Sequence, residues 1–276
     1  MPTSQTIDPS ARFREDGFYL AQTPVLPAGV VDAAVEGMDA IRRGESNTGR
    51  SPEGGPWSPG DDPNKLCKIE QPQFADSRVW ELVSHPALGE LAARITGAAM
   101  VQAWWVQLLY KPPFVGDPTA RTNVGWHQDR QYWGQWEDGS ELFTAWVALS
   151  DVREECGPMR FLRGSHLWGF RESGDFYAQD LDAQRSELRV PDGEILEEVP
   201  ALLPPGGVSF HHLLTFHGSG PNMSNEPRRS FAIHMRTEKS RPKEGKREGL
   251  TQFIDDPRSC PVIFGEWTEG RMGGSS

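Results

Sequence analysis

Across residues 26–44, LPAGVVDAAVEGMDAIRRG, apolar side chains recur at helical spacing and predict an amphipathic helix. The stretch 76–97, DSRVWELVSHPALGELAARITG, predicts one or two more, with Pro86 as the break or as the first residue of the second. Between them, 44–65 is dense in Gly, Pro, Ser and Asp, and a loop that long in a compact domain is usually disordered or a functional lid. From residue 100 the period changes. The runs 100–113, 141–152, 157–166, 206–220 and 228–237 are short and β-rich, with turn residues between them. They predict an antiparallel barrel or sandwich preceded by helices. Residues 167–203 are acidic and weakly patterned and read as an excursion from the sheets, while the mixed-charge run 238–249 reads as solvated surface. No internal repeat is visible. We therefore expect one domain over 1–276, with a helical part at about 10–97, a β-rich core at about 100–237 and a C-terminal extension, 238–276.

Composition narrows the partners. The net charge of −11 argues against nucleic acid, whose phosphates need a basic surface, but allows a small anion held by one or two buried cations. Cys67, Cys156 and Cys260 are far apart and form no CxxC pair, as expected of reduced, structural thiols. The first residues, MPTSQTIDPSARFRED, lack the apolar centre of a signal peptide, and no run approaches a membrane span of about 18 apolar residues. A soluble cytoplasmic protein, monomer or homodimer, acting on a small molecule is the expectation.

The chemistry concentrates in GWHQDRQYW, 125–133, where His127 and Asp129 stand two apart. On a strand or its end that spacing turns both side chains to one side. Two histidines and one carboxylate are a common donor set for Fe(II) with open positions for O2 chemistry, so a second, distant histidine is needed. His217, in FHGSGPN at the end of a β-run, is the candidate, and eleven positions later Arg228 opens the next strand with a side chain suited to gripping a carboxylate. Each signal alone is weak. A bare HxD is more often ordinary surface or core, and an isolated HGSG is more often a plain turn; order and separation raise the odds.

At these residues the chain resembles the phytanoyl-CoA dioxygenase family, Fe(II)- and 2-oxoglutarate-dependent oxygenases that include the ectoine hydroxylases. LLYKPP (108–113), WHQDRQYW (126–133), AWVALSDVREECGPMRFLRGSH (145–166) and FHGSGPN…RRSFAIH (216–234) fall in family order, and the resemblance covers about residues 10–237. It implies a double-stranded β-helix (jelly roll, cupin-like) core with flanking α-helices. By the same resemblance His127, Asp129 and His217 are the iron ligands, and Arg228 pairs with the distal carboxylate of the cosubstrate 2-oxoglutarate. Ser219, Trp146, Gln107 and Lys68 match further cosubstrate contacts, and Trp133 an aromatic of the ectoine hydroxylase branch. O2 is the second cosubstrate. Cys156 stands where the family usually has Asn, and Arg163 where it usually has Pro. Because Asp129 is present, halogenation, which needs a small residue there, is not expected.

The remaining aromatics and histidines carry bland readings beside sharp ones. Trp104, Trp105, Tyr132, Trp133 and Trp136 suffice as core, or could grip a flat or cationic substrate; sharing a strand face with Gln107 inclines Trp105 towards a substrate pocket. His85 is expected to cap a helix, and His166, His211, His212 and His234 to be structural. His211 shares strand parity with His217 but lies six residues off, roughly 20 Å along an extended strand. Two rivals stay open: a non-catalytic jelly-roll protein that binds a metal or small ligand, and a jelly-roll metalloenzyme that uses no 2-oxoglutarate.

Overall fold

The computed structural model describes residues 8–116, 122–245 and 247–266. Residues 1–7 of the polar lead, Lys246 of the mixed-charge run and 267–276 of the extension lie outside them.

Two antiparallel sheets carry the molecule. The larger has seven strands: β1 (Phe18–Ala21), β2 (Cys67–Glu70), β3 (Val101–Lys111), β5 (Leu142–Ala148), β8 (Val208–His212), β10 (Arg228–Thr237) and β11 (Val262–Phe264). Their order is β1-β8-β5-β10-β3-β11, with β2 also hydrogen-bonded to β3. The smaller sheet, in the order β4-β9-β6-β7, consists of β4 (Val124–His127), β6 (Met159–Leu162), β7 (Glu198–Pro200) and β9 (His217–Ser219). The sheets face each other as a jelly roll and do not close into one barrel.

The larger sheet has two chemically different faces because successive side chains on a strand point to opposite sides. On one face Phe210, Ala145, Ile233 and Val106 lie side by side across four strands, with Val208, Val147, Phe231 and Leu108 as the next row. These residues join one apolar core with Val31, Ala34, Met38 and Ile41 of α2 (Ala28–Arg42). The same core takes in Val79 and Leu82 of α3 (Ser77–Val83) and Leu88, Ala92 and Ile95 of α4 (Pro86–Thr96). Full burial of each Leu or Phe contributes about 1.5–3 kcal/mol. The opposite face is a ladder of polar and aromatic residues. His211, Thr144, His234 and Trp105 form one row; Ser209, Trp146, Ala232, Gln107 and Glu70 the next; Arg228 and Lys111 stand opposite each other at the end. This face looks towards the smaller sheet.

The second predicted helical stretch is two helices, and Pro86 is the first residue of α4, where its missing N–H costs nothing. His85 caps that helix, its Nδ1 accepting from the Ala87 N–H at 3.3 Å. Pattern reading overlooked α1 (Pro9–Asp16) and five strands, β1, β2, β4, β7 and β11, of three or four residues each. The excursion 167–203 holds α5 (Leu181–Glu187) and β7 and returns to the second sheet, where β7 pairs with β6. Among the described residues no helix is long and apolar enough to cross a membrane.

Candidate metal centre

Strands β4 and β9 pair so that His127 and His217 are direct partners, with a register irregularity between Val124 and His127. At a close strand pair this puts two imidazoles side by side, and their ring centroids are 4.1 Å apart. Past His127 the chain enters a short 3-10 turn, Asp129–Gln131, which swings the Asp129 carboxylate back beneath both rings. Oδ1 lies 3.8 Å from His127 Nε2 and 3.7 Å from His217 Nε2. The three donor atoms lie within 4.8 Å of one another, and all three residues are buried.

Each imidazole is fixed from behind. His127 Nδ1 meets the Gly125 carbonyl at 2.7 Å and His217 Nδ1 the Thr215 carbonyl at 3.0 Å, so Nδ1 carries the proton and Nε2 offers a lone pair to the centre. Burial would raise the Asp129 carboxyl, but the surrounding imidazoles, His217 and His211 foremost, outweigh it and hold the group well below the usual carboxylate range. Burial likewise lowers His127, and His217 further. The centre is therefore an anionic oxygen beside two neutral nitrogen donors, a set that fits a divalent first-row metal such as Fe(II).

The second oxygen of Asp129 is tied to the larger sheet. The Thr144 hydroxyl donates to Oδ2 at 2.7 Å, and since that hydroxyl has one proton it accepts in turn from His234 Nδ1 at 2.8 Å. His211 Nε2 lies 3.2 Å from the same oxygen. This corrects the expectation that His211 is remote. The chain leaves β8 at His212, turns, and enters β9 in the other sheet at His217. The His211 and His217 rings are consequently 4.3 Å apart.

An inner cavity runs from this centre to Arg228, between Gln107, Leu109, Trp146, Met159, Ser219 and Ala232. Arg228 is buried, its Cζ 5.3 Å from the Trp146 ring centre; its Nη1 donates to the Gly157 carbonyl at 2.5 Å, and Nε has no hydrogen-bond partner among the described residues. Burial pushes its pKa down to about 9, so it stays charged at neutral pH, and among the described residues no carboxylate offsets it. Lys111, opposite it in the sheet, is a second buried basic residue, which sequence reasoning left as part of a motif. Its Nζ donates to Ser219 Oγ at 2.6 Å and to the Ser219 and Gly220 carbonyls, while burial pushes its pKa well below the usual lysine range. A buried guanidinium at one end of a cavity and a three-donor centre at the other suit a dianion bound between them.

An outer chamber of about 280 Å3 shares Gln107, His127, Asp129, Phe176 and His234 with the inner cavity and adds Lys68, Glu70, Tyr132, Trp133, Tyr177 and Leu250. Lys68 therefore stands on this chamber and not on the inner one, paired with Glu70 at 2.9 Å and 4.5 Å from the Phe176 ring centre. Trp133 forms part of its wall, against His234 and Trp104. Trp105 lines neither cavity; its indole N–H donates to Glu70 at 2.6 Å and so fixes the carboxylate that holds Lys68. Of the two family departures, Cys156 is buried beside the Gly157 that receives Arg228, and Arg163 pairs with Asp16 and Glu197 at 2.6 and 3.0 Å, away from the centre.

Sequence reasoning thus missed Thr144, His211, Lys111 and Glu70 as site residues. A two-residue period was the available signal: Thr144 shares parity with Trp146, Lys111 with Gln107, and Glu70 with Lys68.

Comparison with known proteins agrees with this geometry. The family model described as phytanoyl-CoA dioxygenase (PhyH) matches residues 13–230. A probable alpha-ketoglutarate-dependent hypophosphite dioxygenase of Stutzerimonas stutzeri is 30% identical over 174 residues, 61% of this chain and 56% of that protein. The ectoine dioxygenase of Bordetella parapertussis is 33% identical over 164 residues, 53% of this chain and 49% of that one. The chain spans about half the length of the curated relatives it matches. Among solved structures, the epimerase SnoN, in complex with Fe3+, alpha-ketoglutarate and nogalamycin RO, superposes with a TM-score of 0.65 at 26% identity, covering 85% of this chain and 84% of that one. The carbocyclase SnoK from nogalamycin biosynthesis gives 0.66 at 25% identity, covering 90% of each. With the family model spanning most of its length and the fold and donor set in place, the chain belongs to the phytanoyl-CoA dioxygenase family.

Proposed function

We propose that the protein is an Fe(II)- and 2-oxoglutarate-dependent dioxygenase that hydroxylates an aliphatic C–H bond of a small-molecule metabolite or natural-product intermediate, releasing succinate and CO2. The observation that carries this reading is the inner cavity: a buried His127, Asp129 and His217 set at one end and an uncompensated Arg228 at the other. A metal-binding protein without 2-oxoglutarate has no use for a buried guanidinium that lacks a counter-ion, since burying an unpaired charge costs several kcal/mol.

His127, Asp129 and His217 would hold the metal, which together with 2-oxoglutarate and O2 supplies an oxidant able to take hydrogen from an unactivated C–H bond. This chain's residues bind, orient and shield. Arg228 grips the distal carboxylate of 2-oxoglutarate, Lys111 sets the Ser219 hydroxyl beside it, and Trp146 floors the cavity. Phe176, Tyr132 and Trp133 wall the outer chamber, keeping bulk water from the reacting centre. At about 280 Å3 that chamber lies just under the usual range for drug-sized ligands, which favours a small metabolite over an acyl-CoA. The relatives named for hypophosphite and ectoine support a small substrate.

The test is anaerobic titration of the Fe(II)-loaded protein with 2-oxoglutarate, followed in the visible region. A weak charge-transfer band that grows with 2-oxoglutarate, and succinate release once O2 is admitted, are the expected results. Iron binding with neither signal would return the site to a metalloprotein that does not use 2-oxoglutarate.

A further inference from the structure

His211 is a histidine of the centre to which that reading assigns no task. It is almost fully buried, at 1% exposure, on β8, flanked across the sheet by Phe18 and Thr144. Its ring lies against Phe161 and His217, with centroids at 5.3 and 4.3 Å. Neither ring nitrogen makes a well-aligned hydrogen bond among the described residues, yet Nε2 points into the inner cavity 3.2 Å from Asp129 Oδ2. Two groups therefore converge on Oδ2, the Thr144 hydroxyl and the His211 imidazole, while Oδ1 alone faces the ligand nitrogens of His127 and His217.

We infer that His211 is a positioning residue for the metal centre: together with Thr144 it engages Oδ2 of Asp129, so that the carboxylate is presented to the metal through Oδ1 only. A carboxylate free to rotate can offer both oxygens and occupy two positions; one whose outer oxygen is held occupies one. The inference rests on the metal reading of the site. It goes beyond the ligand set by giving His211 control of coordination number, and hence of how many positions remain for cosubstrate and O2. Outer partners of this kind typically contribute 10–100-fold in metal affinity.

The test uses His211→Phe, which fills the space without an N–H, and His211→Gln, which keeps a donor. Fe(II) affinity is measured by equilibrium dialysis, and the Co(II)-substituted proteins give visible d–d spectra that report coordination number. His211→Phe is expected to bind Fe(II) about 10-fold more weakly and to show a changed Co(II) spectrum, with His211→Gln recovering part of both. His211→Leu makes the same comparison should Phe not be accommodated. If either apolar variant folds as wild type, binds Fe(II) as tightly and gives the wild-type Co(II) spectrum, His211 is packing and the inference is wrong. Wild-type protein that binds neither metal overturns the centre itself, and this inference with it.

Discussion

Arg228 shows what a single residue reveals when its surroundings are counted. A guanidinium buried without an acid destabilises the fold that contains it, so its presence is explained by what it binds rather than by what it holds together. Arg228→Met is therefore expected to leave the melting temperature of the metal-free protein unchanged or higher, while weakening 2-oxoglutarate binding roughly 30-fold or more, the usual cost of removing one side of a buried charge pair. A lower melting temperature with unaltered 2-oxoglutarate affinity would make Arg228 structural. Asp129→Ala, which leaves two neutral imidazoles, is expected to abolish turnover; normal succinate release by that variant would refute the ligand set. His212 makes a different prediction, because burial lowers its pKa to about 4 from the usual 6.5. The folded state keeps it neutral while the unfolded chain takes up a proton, so its contribution is whole above pH 6.5 and is lost as pH falls towards 4. The loss approaches about 3 kcal/mol. His212→Gln should flatten the fall in melting temperature over that window.

At the scale of elements, local signals gave the long strands and α2, α3 and α4, but β4, which carries His127, is four residues long and has no pattern to read. What sequence exposed was the chemistry of HxD and HGSG, not the pairing that brings them together. His211 is the instructive miss. Counting residues along a strand placed it far from His217, whereas the strand ends between them and the two histidines face each other from different sheets. Where Lys68 and Trp105 stand relative to the two cavities was likewise not legible: which cavity a side chain meets depends on register with β3, and register is set by partners far off in the chain. The excursion 167–203, without pattern in sequence, proves to touch the site through Phe176, whose carbonyl accepts from the Gly125 N–H at 2.9 Å. A Cβ at Gly125 would stand 2.0 Å from the Asp175 carbonyl oxygen. Gly125→Ala is thus expected to cost about 1–3 kcal/mol and to loosen the carbonyl that orients His127. Thermal melting and Fe(II) affinity should fall together, and an unchanged affinity would separate β4 from the excursion.

For the whole molecule, ligand and fold are linked through the space between the sheets. Any species that binds only the folded chain raises its stability, by about 2.7 kcal/mol at a hundred times its dissociation constant. Fe(II), or Mn(II) as a redox-silent substitute, should raise the melting temperature by several degrees, and 2-oxoglutarate should add to it only once the metal is bound. In Arg228→Met the metal increment is expected to survive and the 2-oxoglutarate increment to vanish. A 2-oxoglutarate increment without metal would place the cosubstrate elsewhere.

The two-faced character of β10 has a practical consequence for laboratory evolution. Arg228, Ala232 and His234 look into the catalytic space, whereas Phe231, Ile233 and Met235 belong to the apolar core. A saturation library along this strand should split by residue parity. Variants at odd positions would be lost from the soluble fraction, whereas variants at even positions would accumulate as well-expressed protein with altered or absent activity. Searches for new substrate preference can therefore draw from Ala232 and its even-numbered neighbours, leaving the stability of the scaffold largely untouched.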